Sequence, residues 1–233
     1  MFAARSHSEL VPLHRSVSVL LVDDNLFFRR GLQTLLDFYS STGSLTCRVV
    51  GQATSVDQAL KLATEQSPNL VLLDLSLSNS QGLRFLQERS QGQERVLVLS
   101  DRQDDEQVFR AMQAGAYGYI LKENLAERLW PAIKTLMNDQ IYLSPELATG
   151  FFRLFQFYSG SPFIRAEAAH LTEREQEVLH CLVQGASNSA IAQHLHITVA
   201  TVKAHLTAIF DKLNVRSRTQ AIVKALKLGL VST

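Results

Sequence analysis

Five short apolar runs alternate with helical stretches through the first 137 residues, and few folds can absorb that order. Val17–Val22, Thr46–Val50, Leu70–Leu73, Val96–Leu99 and Tyr117–Leu121 are rich in Val, Leu and Ile and read as strands. They are apolar almost without interruption, the pattern of strands covered on both faces. Between and after them, Asn25–Tyr39, Ser55–Gln66, Gly82–Glu88, Asp104–Gln113 and Leu125–Met137 read as helices, the first with apolar side chains at three- and four-residue spacing. Ser55 stands where an N-cap belongs. Strand and helix in strict turn predict an α/β fold, a five-stranded parallel sheet with helices on both faces.

After Met137 the alternation stops. Residues 145–163 hold six of the 18 aromatic side chains: Phe151, Phe152, Phe155, Phe157, Tyr158 and Phe163. Leu147, Phe151, Leu154, Phe155 and Tyr158 fall on one helical stripe, with Phe152 and Phe157 off it. We read this segment as a helix made for interdomain contact or self-association; Arg153 as its only basic residue argues against a membrane-surface helix. Gly160 and Pro162 mark a linker over 159–169. Beyond Leu171 the pattern is helical throughout: Glu173–Val183, Asn188–His194, Val199–Lys212 and Thr219–Leu228, with Gly185 punctuating the first two. Short helices of this kind suit a helix-turn-helix unit. The chain thus divides into an extension (1–15), an α/β domain (16–139), an aromatic-rich helical linker (140–168) and a small all-α domain (169–233).

Charge divides along the same line. Residues 16–139 carry 12 basic and 15 acidic side chains, whereas 169–233 carry seven basic and four acidic. From Thr198 onward six basic residues face Asp211 alone, which points to a polyanion as the second domain's partner. An apolar content of 46% excludes a disordered chain. Cys47 and Cys181 cannot make a disulfide framework and read as buried residues. No apolar run approaches the ~18 residues of a membrane span, and the first fifteen residues lack a signal-peptide core, so a soluble cytoplasmic protein is expected. His194, His196 and His205 lack the close Cys or carboxylate partners of a zinc site.

In an open parallel sheet, sites form beyond the carboxyl ends of the strands. Asp23 and Asp24 follow the first strand, Asp74 ends the third, Ser100 the fourth, and Lys122 follows the fifth. Three carboxylates gathered there repel unless a hard cation joins them, and oxygen ligands with free water positions suit Mg²⁺. A carboxylate can also accept a phosphoryl group as nucleophile, with Ser100 and Lys122 holding the added oxygens.

The segments VSVLLVDDN, LVLLDLSLSNSQGL, RVLVLSD and GAYGYILK resemble the receiver domain of two-component response regulators. LTEREQEVLHCLVQGASNSAIAQHLHITVATVKAHLTAIFDKLNVRSRTQAI is similar to the LuxR-type helix-turn-helix, so the chain resembles NarL/FixJ-type response regulators over about 175 residues. The resemblance implies a flavodoxin-like, doubly wound sheet and phosphorylation of Asp74 by a sensor histidine kinase. It implies Mg²⁺ bound directly by Asp24, Asp74 and the Ser76 carbonyl, and through water by Asp23. Ser100 turns toward the phosphate in such proteins, and Tyr119 is the aromatic that rotates with it. Thr198–Leu213 holds the recognition helix: Lys203, Ala204 and Thr207 near base edges, Thr198, Thr201 and His205 near the DNA backbone, and Lys212 and Arg218 as weaker phosphate contacts. Val202, Leu206 and Ile209 read as core. A homodimer on double-stranded DNA, pairing through residues 219–228, and RNA polymerase complete the expected partners; no membrane or enzymatic role is expected. Ile222, Val223, Leu226 and Leu228 crowd so short a helix that some of them should lie exposed.

Three departures stand out. Ser78 replaces a frequent proline, Ser189-Ala190 replaces a frequent Lys-Glu pair, and Asp101 stands where a small residue usually follows Ser100. Asp101 places an extra negative charge beside the pocket, and it keeps open a second reading, a DNA-binding regulator whose receiver signals without phosphate. An aspartate-dependent phosphohydrolase fits less well, because its nucleophile follows the first strand with a second Asp two residues on, whereas Asp74 follows the third and position 76 is Ser. Residues 1–15 show no evident role.

Overall fold

The structure, a computed structural model, describes residues 15–42, 45–77, 81–89, 92–159 and 171–231. Its first domain is a parallel sheet in the order β2-β1-β3-β4-β5-β6. The strands are β1 (Arg15–Val22), β2 (Leu45–Ala53), β3 (Leu70–Asp74), β4 (Arg95–Ser100), β5 (Gly118–Leu121) and β6 (Tyr142–Leu143). The helices are α1 (Leu26–Thr42), α2 (Val56–Gln66), α3 (Gly82–Glu88), α4 (Asp105–Gln113) and α5 (Leu125–Met137).

The pleat of the strands sorts the core. Successive strand residues point to opposite faces. Leu20, Val22, Val71, Leu73, Val96, Val98, Tyr119 and Leu121 pack on one side with α2, α3 and α4. Val19, Leu21, Leu70, Leu72, Leu97, Leu99 and Ile120 pack on the other with α1 and α5. Both sides of each central strand are therefore apolar, and periodicity of two is invisible in the sequence. Ser55 caps α2 by accepting the Gln58 N–H, as the sequence predicts.

Among the described residues the sheet has six strands, not five. Tyr142 and Leu143 pair in parallel with Gly118 and Tyr119. Two residues are too few to show a strand pattern, and the pairing is set by the turn after α5, where Asp139 adopts a positive φ of 59°. The first strand also starts at Arg15, two residues before the apolar run, because Arg15 and Ser16 continue the register against Leu45 and Thr46.

The aromatic segment forms α6 (Pro145–Ser159). Leu147 and Phe151 are buried on the α4 side of the sheet, and the Phe109 and Phe151 rings lie 5.6 Å apart. Arg153 pairs with Asp105 at the start of α4. Phe152 stands off this stripe and is 55% exposed. Phe163 and most of the expected linker lie outside the described residues, as do residues 1–14 and Ser78.

The second domain has α7 (Glu173–Val183), α8 (Asn188–His194), α9 (Val199–Lys212) and α10 (Arg218–Lys227) around one apolar cluster. Thr172, Ser187, Thr198 and Ser217 each cap the helix that follows, and Thr172 with Glu175 forms a capping box. Such caps contribute roughly 1 kcal/mol each, which suits helices too short to persist alone. Gly185 takes a φ of +80° between α7 and α8, a conformation costly for a residue with a Cβ. Val202, Leu206 and Ile209 are core residues, and Cys47 and Cys181 are buried. Among the described residues no helix is long and apolar enough to cross a membrane.

The two domains touch. Thr219 Oγ1 donates to the Ala116 carbonyl at 2.8 Å, Gln220 Nε2 to Gln113 O at 2.9 Å, and Gln140 Nε2 to Gly185 O at 3.0 Å. The apolar surplus of α10 is not exposed as the sequence suggests. Val223 joins the receiver-side core, and Ile222 and Leu226 line a cavity of about 290 Å³ with Phe151, Phe152 and Phe155 of α6.

Gly82 begins α3 directly against the strand that carries Asp74. A Cβ there would stand 2.8 Å from the Leu75 backbone and 2.9 Å from the Asp74 carbonyl. Gly82→Ala is expected to lower stability by about 1–3 kcal/mol, the usual penalty of overpacking, as measured by urea unfolding.

Candidate functional site

Parallel neighbours share their carboxyl edge, so the ends of β1, β3, β4 and β5 meet. One carboxylate oxygen from each of Asp23, Asp24 and Asp74 lies within 4.8 Å of the others. The turn after β1 is fixed locally. Asp23 Oδ1 accepts the Asn25 N–H at 2.8 Å, and Asn25 Oδ1 accepts the N–H groups of Phe27 and Phe28 to open α1. The Asp23 amide donates to Ala53 O, and the buried Arg29 guanidinium donates to the Asp23 carbonyl. Asp24 stays exposed, while Asp23 and Asp74 are buried.

Lys122 sits among these acids. Its Nζ lies 3.0 Å from Asp23, 3.2 Å from Asp74 and 3.4 Å from Asp101. It also stands 4.4 Å from the centroid of the Phe28 ring, a cation–π position. Phe28 is a pocket residue that sequence reading misses, because its place depends on how α1 leans toward the end of β5. Asp74 Oδ1 accepts the Ser76 N–H at 3.0 Å. Burial raises the Asp74 pKa, against the Ser76 hydrogen bond and the Lys122 charge, which lower it. Burial lowers that of Lys122, but Asp23 and Asp74 outweigh it and hold the ammonium above its ordinary value.

Ser100 and Tyr119 belong to the other face of the sheet, by the same pleat that places Val98 and Leu121 there. The Ser100 hydroxyl is turned to its own loop, donating to Arg102 O and accepting the Arg102 N–H, both at 3.2 Å. Tyr119 is fully buried. Its hydroxyl lies near Ser100 without a well-formed hydrogen bond, and burial pushes its pKa up to about 12.

In the second domain, Lys203, Ala204 and Thr207 are exposed on α9, and His205 is half-buried. Thr198 and Thr201 are engaged with each other through the cap, with their hydroxyls 2.8 Å apart. Lys212 and Arg218 both have partners within this domain. Lys212 pairs with the buried Glu175 at 2.6 Å. Arg218 is 3% exposed and donates to the Ala186 carbonyl, so it supports the fold rather than the surface. Nor is the α9 face open. Lys203, Leu206, Thr207 and Phe210 line a cleft of about 870 Å³ whose opposite wall includes Ser67, Pro68, Gln93 and Glu94 of the first domain.

Comparison with known proteins agrees with both domains. Residues 19–134 match the family "Response regulator receiver domain", and residues 169–225 match "Bacterial regulatory proteins, luxR family". The chain is 32% identical over 218 residues to the transcriptional regulatory protein LiaR of Bacillus subtilis, covering 93% of this chain and 100% of that one. It is 33% identical over 219 residues to the response regulator VraR of Staphylococcus aureus, covering 93% and 99%. RcsB from Salmonella enterica serovar Typhimurium, solved on a promoter with the phosphomimetic BeF3−, shares the fold. Its TM-score is 0.53 at 15% identity, with 91% of this chain and 98% of that one covered. RcsB has also been solved as two dimers bound to two parallel DNAs. The chain belongs to the family of two-component response regulators that join a receiver to a LuxR-type DNA-binding domain.

Proposed function

We propose that Asp74 accepts a phosphoryl group from the phosphohistidine of a sensor kinase, and that this charge governs access of α9 to DNA. The observation that carries the reading is the pocket itself. A buried carboxylate at the end of β3 faces an ammonium 3.2 Å away and lies within 4.8 Å of two further carboxylates. In the transfer, the P–N bond to the kinase imidazole breaks as a P–O bond to Asp74 forms. Lys122 is placed to receive an oxygen of the transferred group, and the Ser100 hydroxyl can exchange Arg102 for another.

The acid cluster fits a hard divalent cation, since it offers only oxygen donors. Asp24, Asp74 and the Ser76 carbonyl would hold Mg²⁺ directly. Asp23, already committed to Asn25 and Lys122, would act through water. The cation would neutralise negative charge between acceptor and donor. The response regulator would act in the cytoplasm as a homodimer on double-stranded DNA, with RNA polymerase as the downstream partner.

For DNA, the proposed base-edge residues are Lys203, Ala204 and Thr207, flanked by Thr198, Thr201 and His205 toward the backbone. The closed arrangement supports control of this surface, because the cleft facing Lys203 is too small for a duplex and α10 is held against the receiver. Pairing of two chains through Ile222 and Leu226 needs that contact to open.

Four outcomes test this reading. Asp74→Asn is expected to gain no phosphate from acetyl phosphate and Mg²⁺ by intact mass, while the wild type gains one. Because burial disfavours the Asp74 anion, Asp74→Asn should also melt at higher temperature than wild type at pH 7 without Mg²⁺. That advantage should shrink as pH falls through the carboxylate range, where the wild-type group is protonated in both states. Lys203→Ala should weaken specific DNA binding by about 1–3 kcal/mol and broaden sequence preference in gel shifts. Thr219→Val leaves the Ala116 carbonyl without its donor, at a cost of about 1 kcal/mol to the closed state. Unphosphorylated Thr219→Val should then bind DNA severalfold more tightly in fluorescence anisotropy.

A further inference from the structure

The head group of Lys122 has three N–H donors. Three carboxylates already surround it: Asp23 at 3.0 Å, Asp74 at 3.2 Å and Asp101 at 3.4 Å. The Phe28 ring covers a further side, with its centroid 4.4 Å from Nζ. Lys122 Nζ donates to Asp23 Oδ2 and holds Asp74 and Asp101 at ion-pair distance, so an oxygen arriving on Asp74 competes with carboxylates already beside the ammonium, and one of them has to yield. Asp23 cannot yield cheaply, being 1% exposed and tied also to Asn25. Asp74 is the acceptor. Asp101 has a side chain 61% exposed and lies outside the acid cluster that suits a metal.

We propose that Asp101 is a resident carboxylate on Lys122 which the phosphoryl group must displace, so that this residue sets how readily the receiver becomes phosphorylated. The inference rests on Asp74 as phosphoacceptor. Asp101 acts by occupying Lys122, and is thus a positioning residue. Its place in the chain adds a second link. Asp101 lies between Ser100 and Arg102, and the Ser100 hydroxyl is held by both backbone groups of Arg102. Moving Asp101 off Lys122 disturbs the same three-residue turn that keeps Ser100 away from Asp74. One arrival at the pocket then releases both phosphate-holding groups together.

An ion pair exposed on its acid side is weak, so the effect is modest: Asp101→Ala should take phosphate from acetyl phosphate about two- to fivefold faster than wild type at saturating Mg²⁺. It should also bind BeF3− more tightly by a similar factor, with its melting temperature unchanged. Asp101→Asn, which keeps an acceptor oxygen but no charge, should fall between the two. Glu123→Gln removes an exposed acid next to Lys122 that does not pair with it, and should label at the wild-type rate. Equal labelling and equal BeF3− affinity of Asp101→Ala and wild type, with Asp74→Asn unlabelled, would overturn the role of Asp101 and leave Asp74 standing. Acceleration by Glu123→Gln equal to that of Asp101→Ala would also overturn it, since a diffuse charge effect would then suffice. If wild type and Asp101→Ala take neither phosphate nor BeF3−, the Asp74 reading falls and this inference with it.

Discussion

One ammonium group among carboxylates organises the receiver. Lys122 is half-buried at the end of β5, where its charge is screened less than at an open surface. It is the nearby cation that lets Asp23 and Asp74 stand together below the surface. The sheet exists, in functional terms, to bring it there. Register pairs Asp74 with Leu99 and Ser100 with Leu121, so each strand ends within one residue of its neighbour. A slip of one residue in β5 would turn Lys122 to the Tyr119 face and leave the acids without their cation.

The same register explains why so much of the pocket could be read from the chain. Strands buried on both faces announce themselves as Val- and Leu-rich runs, and the residue that closes each run is then a residue of the site. Asp23, Asp24, Asp74, Ser100 and Lys122 were legible for that reason. Phe28 was not, because its contact arises from the packing angle of α1. Nor was the partnering of Asp101: its extra charge was visible, but only the structure places it on Lys122. The sixth strand escaped because two residues carry no period, and its pairing depends on the turn at Asp139.

The second domain divides similarly. Gly185 marked the break between α7 and α8 in the sequence, and the structure adds the side-chain caps that fix the helix starts. The partners of Lys212 and Arg218 did not follow from charge. Glu175 and the Ala186 carbonyl, which hold these side chains, are distant in sequence. The aromatic helix was legible as an amphipathic element in search of a partner. That it would settle on α4 and help enclose α10 depended on the two domains meeting.

The contact between α10 and the receiver has a kinetic and thermodynamic corollary. Two surfaces on one chain meet as an intramolecular pair, at an effective concentration that does not depend on how much protein is present. A second copy of the protein competes from bulk solution, at whatever concentration the cell maintains. Abundance is therefore a poor lever for prising Ile222, Val223 and Leu226 away from the receiver. The tethered contact has to be weakened at its source, which makes the hydrogen bond from Thr219 to Ala116 and the apolar seat of Val223 the terms that decide how many copies are needed before two can pair.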